Sequence, residues 1–189
     1  VQITQTLEDS EQNGSVSILR QVAKPVPHSL FGTPELAQII TDMADTLDGQ
    51  TDGVALAAPQ ISIPYRIFIV RYDRTLPMPA QGEPAHPPEI GVFINPRFIR
   101  ASRRRAEMDE GCLSVRGLYG TTLRHERATI KAHNAAGKSF ERGGGGLLAQ
   151  IFQHESDHLD GILFIDHALD IVSREYESVG ADPKKHQHE

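Results

Sequence analysis

Leu147-Leu148-Ala149-Gln150-Ile151-Phe152-Gln153-His154-Glu155-Ser156-Asp157-His158-Leu159-Asp160-Gly161 is the stretch whose reading decides the fold. Within it, His154-Glu155-Ser156-Asp157-His158 fits H-E-x-x-H. Residues four apart share one face of a helix, so both imidazoles can point at one ion, with Glu155 beside them as candidate general base. Leu147, Ile151, His154 and His158 keep the helical period, which places both histidines on an apolar stripe. Leu148, Phe152, Glu155 and Leu159 form a neighbouring stripe. Gly161 suits the left-handed position just past a helix end. The run Gly143 to Gly146 reads as a loose approach that rules out an earlier start. The helix is therefore expected to be central and largely buried. The pentapeptide alone leaves two readings open, a metal site or two ordinary surface histidines. The apolar register favours the metal, because unpaired polar groups on a core stripe cost stability.

The rest of the chain sets the bounds. Its 189 residues predict one compact domain with room for a sizeable core. With 39% hydrophobic and 23% charged residues, the composition is that of a globular protein. A net charge of −6 argues against a general nucleic-acid binder. Arg100, Arg103, Arg104 and Arg105 form a short basic run, read as a solvated turn or strand end. No apolar run reaches transmembrane length, and the polar, acidic start has no signal-peptide core. Cys112 is the one cysteine, so no disulfide can form within the chain, which fits a reducing compartment.

Upstream of the helix, Val16 to Leu19 reads as a short extended segment. Thr33-Pro34-Glu35 reads as a helix start, with Thr33 as N-cap and Pro34 in the first turn. Leu36, Ile39, Ile40, Met43 and Leu47 carry the period up to Gly49. Tyr65 to Val70 reads as a strand, Val92 to Ile94 as a second one stopped by Asn95-Pro96, with Phe98 and Ile99 continuing an extended segment into the arginine run, and Leu123 to His133 as another. The proline-rich stretch from Arg74 to Gly91 reads as an irregular loop. Residues 1–170 are expected to form the catalytic domain and 171–189 a polar C-terminal tail. His186 and His188 lie in that tail and read as solvated.

Three stretches stand out together: GVALAAPQ from Gly53 to Gln60, EGCLS from Glu110 to Ser114, and QHESDHLDG from Gln153 to Gly161. In order and spacing they resemble the peptide deformylase family, whose pattern is G-x-G-L-A-A-P-Q, E-G-C-L-S and Q-H-E-x-D-H-L-x-G. The likeness covers roughly Ile18 to Asp166. The second and third motifs match fully. The first departs at Ala55, where the family usually has Gly.

The resemblance implies an α+β fold, with mostly antiparallel β-sheets packed around a central metal-binding helix and the helix at Pro34 to Asp48 outside. It implies Cys112, His154 and His158 as metal ligands and Glu155 as general acid/base. Gln60, by its side-chain amide, and Leu113, by its backbone N–H, become the oxyanion donors. Gly53, Val54 and Ala55 are expected to hold an extended peptide by backbone hydrogen bonds, and Val54, Leu147, Ile151 and the His154 ring to line a methionine pocket. Two imidazoles and a thiolate leave a fourth position for water, the arrangement of a catalytic rather than a structural site. The implied reaction is hydrolysis of the formyl group from N-formylmethionine on newly synthesised polypeptides, releasing formate. The implied metal is Fe2+, for which Zn2+, Ni2+ or Co2+ can substitute; ligand chemistry alone points to zinc.

Partners are then N-formylmethionyl nascent peptides, with transient ribosome proximity, no direct nucleic-acid binding and no membrane. The expected location is the cytoplasm, or an organelle after removal of a transit segment. Two other readings stay open. An H-E-x-x-H metallopeptidase would draw its third ligand from downstream, where Asp166 and His167 lie. A non-catalytic metal-binding relative would account for Ala55. Glu110 or Asp157 is expected to orient a ligand, with Arg124 pairing one of them. Arg116 and Tyr119 read either as shaping the pocket rim or as solvated, and the second reading is favoured.

Overall fold

The computed structural model describes residues 1–5, 17–77 and 86–173. Helix α1 spans Pro34–Asp48 and α2 spans Leu147–Leu159. The strands are β1 (Ala55–Ala57), β2 (Ile67–Arg71), β3 (Ile90–Ala101), β4 (Arg105–Gly111), β5 (Leu118–His125), β6 (Arg127–His133), β7 (Ser139–Gly145) and β8 (Asp170–Ser173). They build a five-stranded sheet in the order β1-β2-β3-β6-β7 and a three-stranded sheet in the order β4-β5-β8. Every strand pairing is antiparallel. The fold is α+β, as expected.

Strand β2 explains how the layers stack. All five of its residues are buried. Alternate side chains of a strand point to opposite faces. Phe68 and Val70 join a core that includes Ala149, Ile151 and Phe152 of α2, whereas Ile67 and Ile69 join Leu36, Met43 and Leu47 of α1. The larger sheet is thus covered by α1 on one face and α2 on the other. Phe68 stacks on Phe93 at 4.6 Å between ring centres, and Phe152 meets Phe93 edge-on at 5.3 Å. Helix α2 also touches β5 of the smaller sheet. It is therefore central, and α1 is an outer layer.

Both helices begin and end for local reasons. The Thr33 hydroxyl accepts from the Leu36 N–H, and Pro34 opens α1. Past α2, Gly161 takes a φ of +73°.

Four expectations need correction. Ile18–Arg20 is a 3-10 turn capped by Ser17, not an extended segment. The Gly143 run is not a loose approach, since Gly143 to Gly145 end β7 and pair with β6. A Cβ on Gly144 would lie 2.7 Å from Leu148 Cγ, so the bare backbone lets α2 fold back onto the strand that precedes it. Strand β3 does not stop at Asn95-Pro96. Asn95 adopts a φ of +51°, the register shifts there, and the strand continues to Ala101. The Asn95 side chain stitches this bulge to Val26, accepting from its N–H at 2.8 Å and donating to its carbonyl at 3.0 Å. The segment Leu123 to His133 is two strands in different sheets, broken at Glu126, where the chain crosses from β5 to β6.

The tail assignment also shifts. Strand β8 pairs with β5 through Ser173, so 171–173 belong to the folded domain. His186 and His188 lie outside the described residues. Among the described residues, no helix is long and apolar enough to cross a membrane.

Candidate active site

The site is built where β4 ends, β1 turns and α2 passes beneath. Cys112 follows β4, in a bend where its carbonyl accepts from the Val115 N–H at 3.0 Å. His154 and His158 come from adjacent turns of α2. Their rings meet edge-on, 4.9 Å between centres. One ligand atom each from Cys112, His154 and His158 lies within 4.8 Å of the others. His158 Nε2 stands 3.2 Å from Cys112 Sγ. His154 donates its Nδ1–H to Glu110 Oε2 at 3.1 Å, which leaves Nε2 free for an ion.

A soft sulfur and two imidazole nitrogens at this spacing suit a divalent transition ion. The electrostatics agree. Burial pushes the Cys112 thiol up, but His158 and His154 outweigh it and bring its pKa down to about 5, so the thiolate is the resting form. Burial also opposes charge on His154, yet Cys112 and Glu110 raise its pKa well above the ordinary value. The pocket therefore favours positive charge at this point.

A buried ion-pair network fixes the ligands from behind. Arg124 Nε and Nη2 donate to the two oxygens of Glu110 at 2.6 and 2.9 Å, and Nη1 donates to Asp157 Oδ2 at 2.6 Å. The Thr122 hydroxyl adds a further bond to Glu110 Oε1 at 2.9 Å. Burial opposes the Glu110 charge, but His154 and Arg124 hold its pKa well below the usual carboxylate range. Arg124 pairs with Glu110 and Asp157 at once, where one partner was expected.

Glu155 sits differently. It is buried, and its Oε2 has no hydrogen-bond partner. Burial pushes its carboxyl up to about 7, against the pull of His154 and His158. A carboxyl near neutrality with an unsatisfied oxygen is suited to proton transfer at working pH. Gln60 is held on the opposite side. Its Oε1 accepts from the Ala57 N–H at 2.8 Å, and this fixes the amide. Its Nε2 faces Ser114 Oγ at 3.1 Å and Cys112 Sγ at 3.6 Å.

Cys112, His154, Glu155 and Gln60 open into one cleft of about 310 Å3, and His158 lies behind its wall. Gly53, Val54, Ala55, Gln60, Leu113, Leu147, Ile151, His154 and Glu155, all named from sequence, line it. So do Arg116 and Tyr119, and there the expectation of solvated residues is corrected. The sequence signal was available, since both follow the cysteine motif by a few residues. The downstream alternatives lie elsewhere: Asp166 pairs with Arg20, and His167 faces Asp157 at 3.3 Å.

Comparison with known proteins agrees with this geometry. The polypeptide deformylase family matches residues 9–174. A peptide deformylase from Dehalococcoides mccartyi is 38% identical over 150 residues, 79% of this chain and 80% of that one. One from Carboxydothermus hydrogenoformans is 37% identical over 157 residues, 83% and 91% of the two chains. Among solved structures, a Met-Ala-Ser-bound class I type b peptide deformylase from Acinetobacter baumannii superposes with a TM-score of 0.71 at 30% identity, covering 88% of this chain and 98% of that one. With the family model matched over residues 9–174 and relatives of this identity covering most of its length, the chain belongs to the polypeptide deformylase family.

Proposed function

We propose that the protein hydrolyses the formyl amide of N-formylmethionine at the start of newly made polypeptides, releasing formate. The observation that carries this reading is the buried Glu155 carboxyl, its Oε2 unpartnered, lining one cleft with Cys112, His154 and Gln60, where Cys112 and His154 gather their ligand atoms with that of His158. Cys112, His154 and His158 would hold a divalent ion, and Fe2+ is the metal proposed, with Zn2+, Ni2+ or Co2+ as substitutes. Such an ion, when bound, supplies Lewis acidity that lowers the pKa of an attacking water toward about 7.

The chain's own groups do the rest. Glu155 takes the proton from the attacking water and delivers it to the departing amine. The Gln60 amide and the Leu113 N–H donate to the oxygen that gains charge as the carbonyl is attacked. Glu110, held by Arg124, keeps the His154 ring in one tautomer and orientation. Gly53, Val54 and Ala55 offer backbone to an extended peptide, while Val54, Leu147, Ile151 and the His154 ring take the methionine side chain. Recognition of backbone beyond the first residue accounts for a substrate as varied as the nascent chains of a cell. Such a substrate supports a location in the cytoplasm near translating ribosomes, with an organelle as the alternative.

The test is formate release from formyl-Met-Ala-Ser by anaerobically prepared, iron-loaded protein, with acetyl-Met-Ala-Ser as comparison. Formate from the first and no acetate from the second are expected. Cleavage of the internal peptide bonds would support a metallopeptidase instead.

A further inference from the structure

The two segments that flank the cleft are tied together at one end. Arg116 Nη1 donates to Asp52 Oδ2 at 2.7 Å, and Nη2 donates to Gln50 Oε1 at 2.6 Å. Asp52 and Gln50 belong to the loop that leads into Gly53-Val54-Ala55, whereas Arg116 belongs to the segment that leaves Cys112. Asp52 and Arg116 both line the cleft.

The Gln50–Gly53 loop is also anchored from behind. Arg74 Nη1 donates to the carbonyls of Leu47, Gln50 and Gly53 at 3.2, 2.9 and 2.7 Å. Where the loop meets Leu113 there is no spare space. A Cβ on Gly53 would lie 2.8 Å from Leu47 Cδ1 and 3.1 Å from Leu113 Cδ1. The loop is therefore held by Arg74 behind, by Leu113 within and by Arg116 across.

The Arg116 side chain is 24% exposed and that of Asp52 46%. An ion pair so open to water contributes little to global stability. A planar guanidinium bonded to two acceptors on one loop does, however, fix the distance between that loop and its own segment. Its value lies in geometry, at a margin of the cleft.

We propose that the bridge from Arg116 to Gln50 and Asp52 sets the width of this end of the cleft and thereby selects, by size, the side chains that follow methionine. The proposal rests on the deformylase reading and names a specificity device for the same site. Arg116 acts through the loop it holds and is a positioning residue.

The test compares kcat/KM for formyl-Met-Ala-Ser and formyl-Met-Trp-Trp in iron-loaded protein, its R116A and R116K variants, a Q50A/D52A variant, and the three alanine changes combined. The preference of the parent for the small peptide is expected to fall about fivefold in R116A, carried by KM rather than kcat. Q50A/D52A should show the same fall, the combined variant no further one, and R116K a partial one. A preference in R116A within about twofold of the parent would overturn the bridge. Additive losses in the combined variant would do the same, since the partners would then act separately. Should R116A fail to fold, Q50A/D52A carries the same comparison. Absence of formate release from both peptides by the parent protein would overturn the underlying reading, and the bridge with it.

Discussion

Gln60 and Ala55 bring the site down to single side chains. Gln60 has its oxygen committed to Ala57 N–H, so its amide hydrogens can only face the sulfur and Ser114 side of the cleft. Gln60→Ala is expected to lower kcat by about 10²–10³-fold, because one oxyanion donor is lost. Bound metal should stay at the parent level, and loss of metal along with activity would show a different role. Ala55 is 7% exposed, lines the cleft and also joins the core that holds Phe68 and Val70. Ala55→Gly should change peptide KM and inhibitor affinity, and unchanged values for both would contradict that reading. Both residues were legible because each sits in a motif whose spacing survives without any structure. Arg116 was not. One guanidinium reads as solvated until the loop it reaches, more than 60 positions away in the chain, is known to lie opposite.

At the level of elements, the loop that supports the cleft depends on a small ionic cluster after β2. Asp73 accepts from Arg71 Nε and Nη2, each at 3.0 Å, and from the Glu89 N–H at 3.1 Å. Arg71 also pairs with Asp48 at the end of α1. The Arg71 bonds outweigh burial and bring the Asp73 carboxyl from its ordinary 3.8 to about 2. A depressed carboxylate stabilises the fold fully above its unfolded pKa, and the gain is lost as pH falls through the folded value. Asp73→Asn should therefore cost about 1 kcal/mol at neutral pH once solvent screening is allowed for, with the difference shrinking toward zero as pH approaches 2. Urea unfolding at neutral and acidic pH measures it, and a difference independent of pH would contradict the assignment.

The helices were legible because capping residues and a 3.6 period mark them locally. Strands β3 and β7 were misread for one shared reason. Asn95-Pro96 and Gly143-Gly144-Gly145 are poor strand formers in isolation, and here partner strands and the α2 packing decide the outcome.

For the whole molecule, the metal centre joins parts far apart in sequence. Cys112 belongs to the segment after β4, and the histidines belong to the helix at the centre of both sheets. An ion bound there stabilises only the folded chain. At a hundredfold excess of free ion over Kd the gain is about 2.7 kcal/mol, which corresponds to about 5–10 °C in Tm for a chain of this size. Thermal unfolding with ferrous iron and with a chelator should differ by that order, and coincident transitions would argue against ligation by all three residues. The overall architecture was legible as α+β with mostly antiparallel sheets. The division of eight strands between two sheets depends on the crossing at Glu126, which no local pattern marks.

The most direct test joins these scales in one preparation: formate release from formyl-Met-Ala-Ser by iron-loaded protein and by Glu155→Ala, with metal content determined in both. The parent is expected to turn over, and the variant to keep its metal and lose about 10²–10⁴-fold in kcat. Turnover by a fully metallated variant at the parent rate would contradict the role given to Glu155 and, with it, the account of the site.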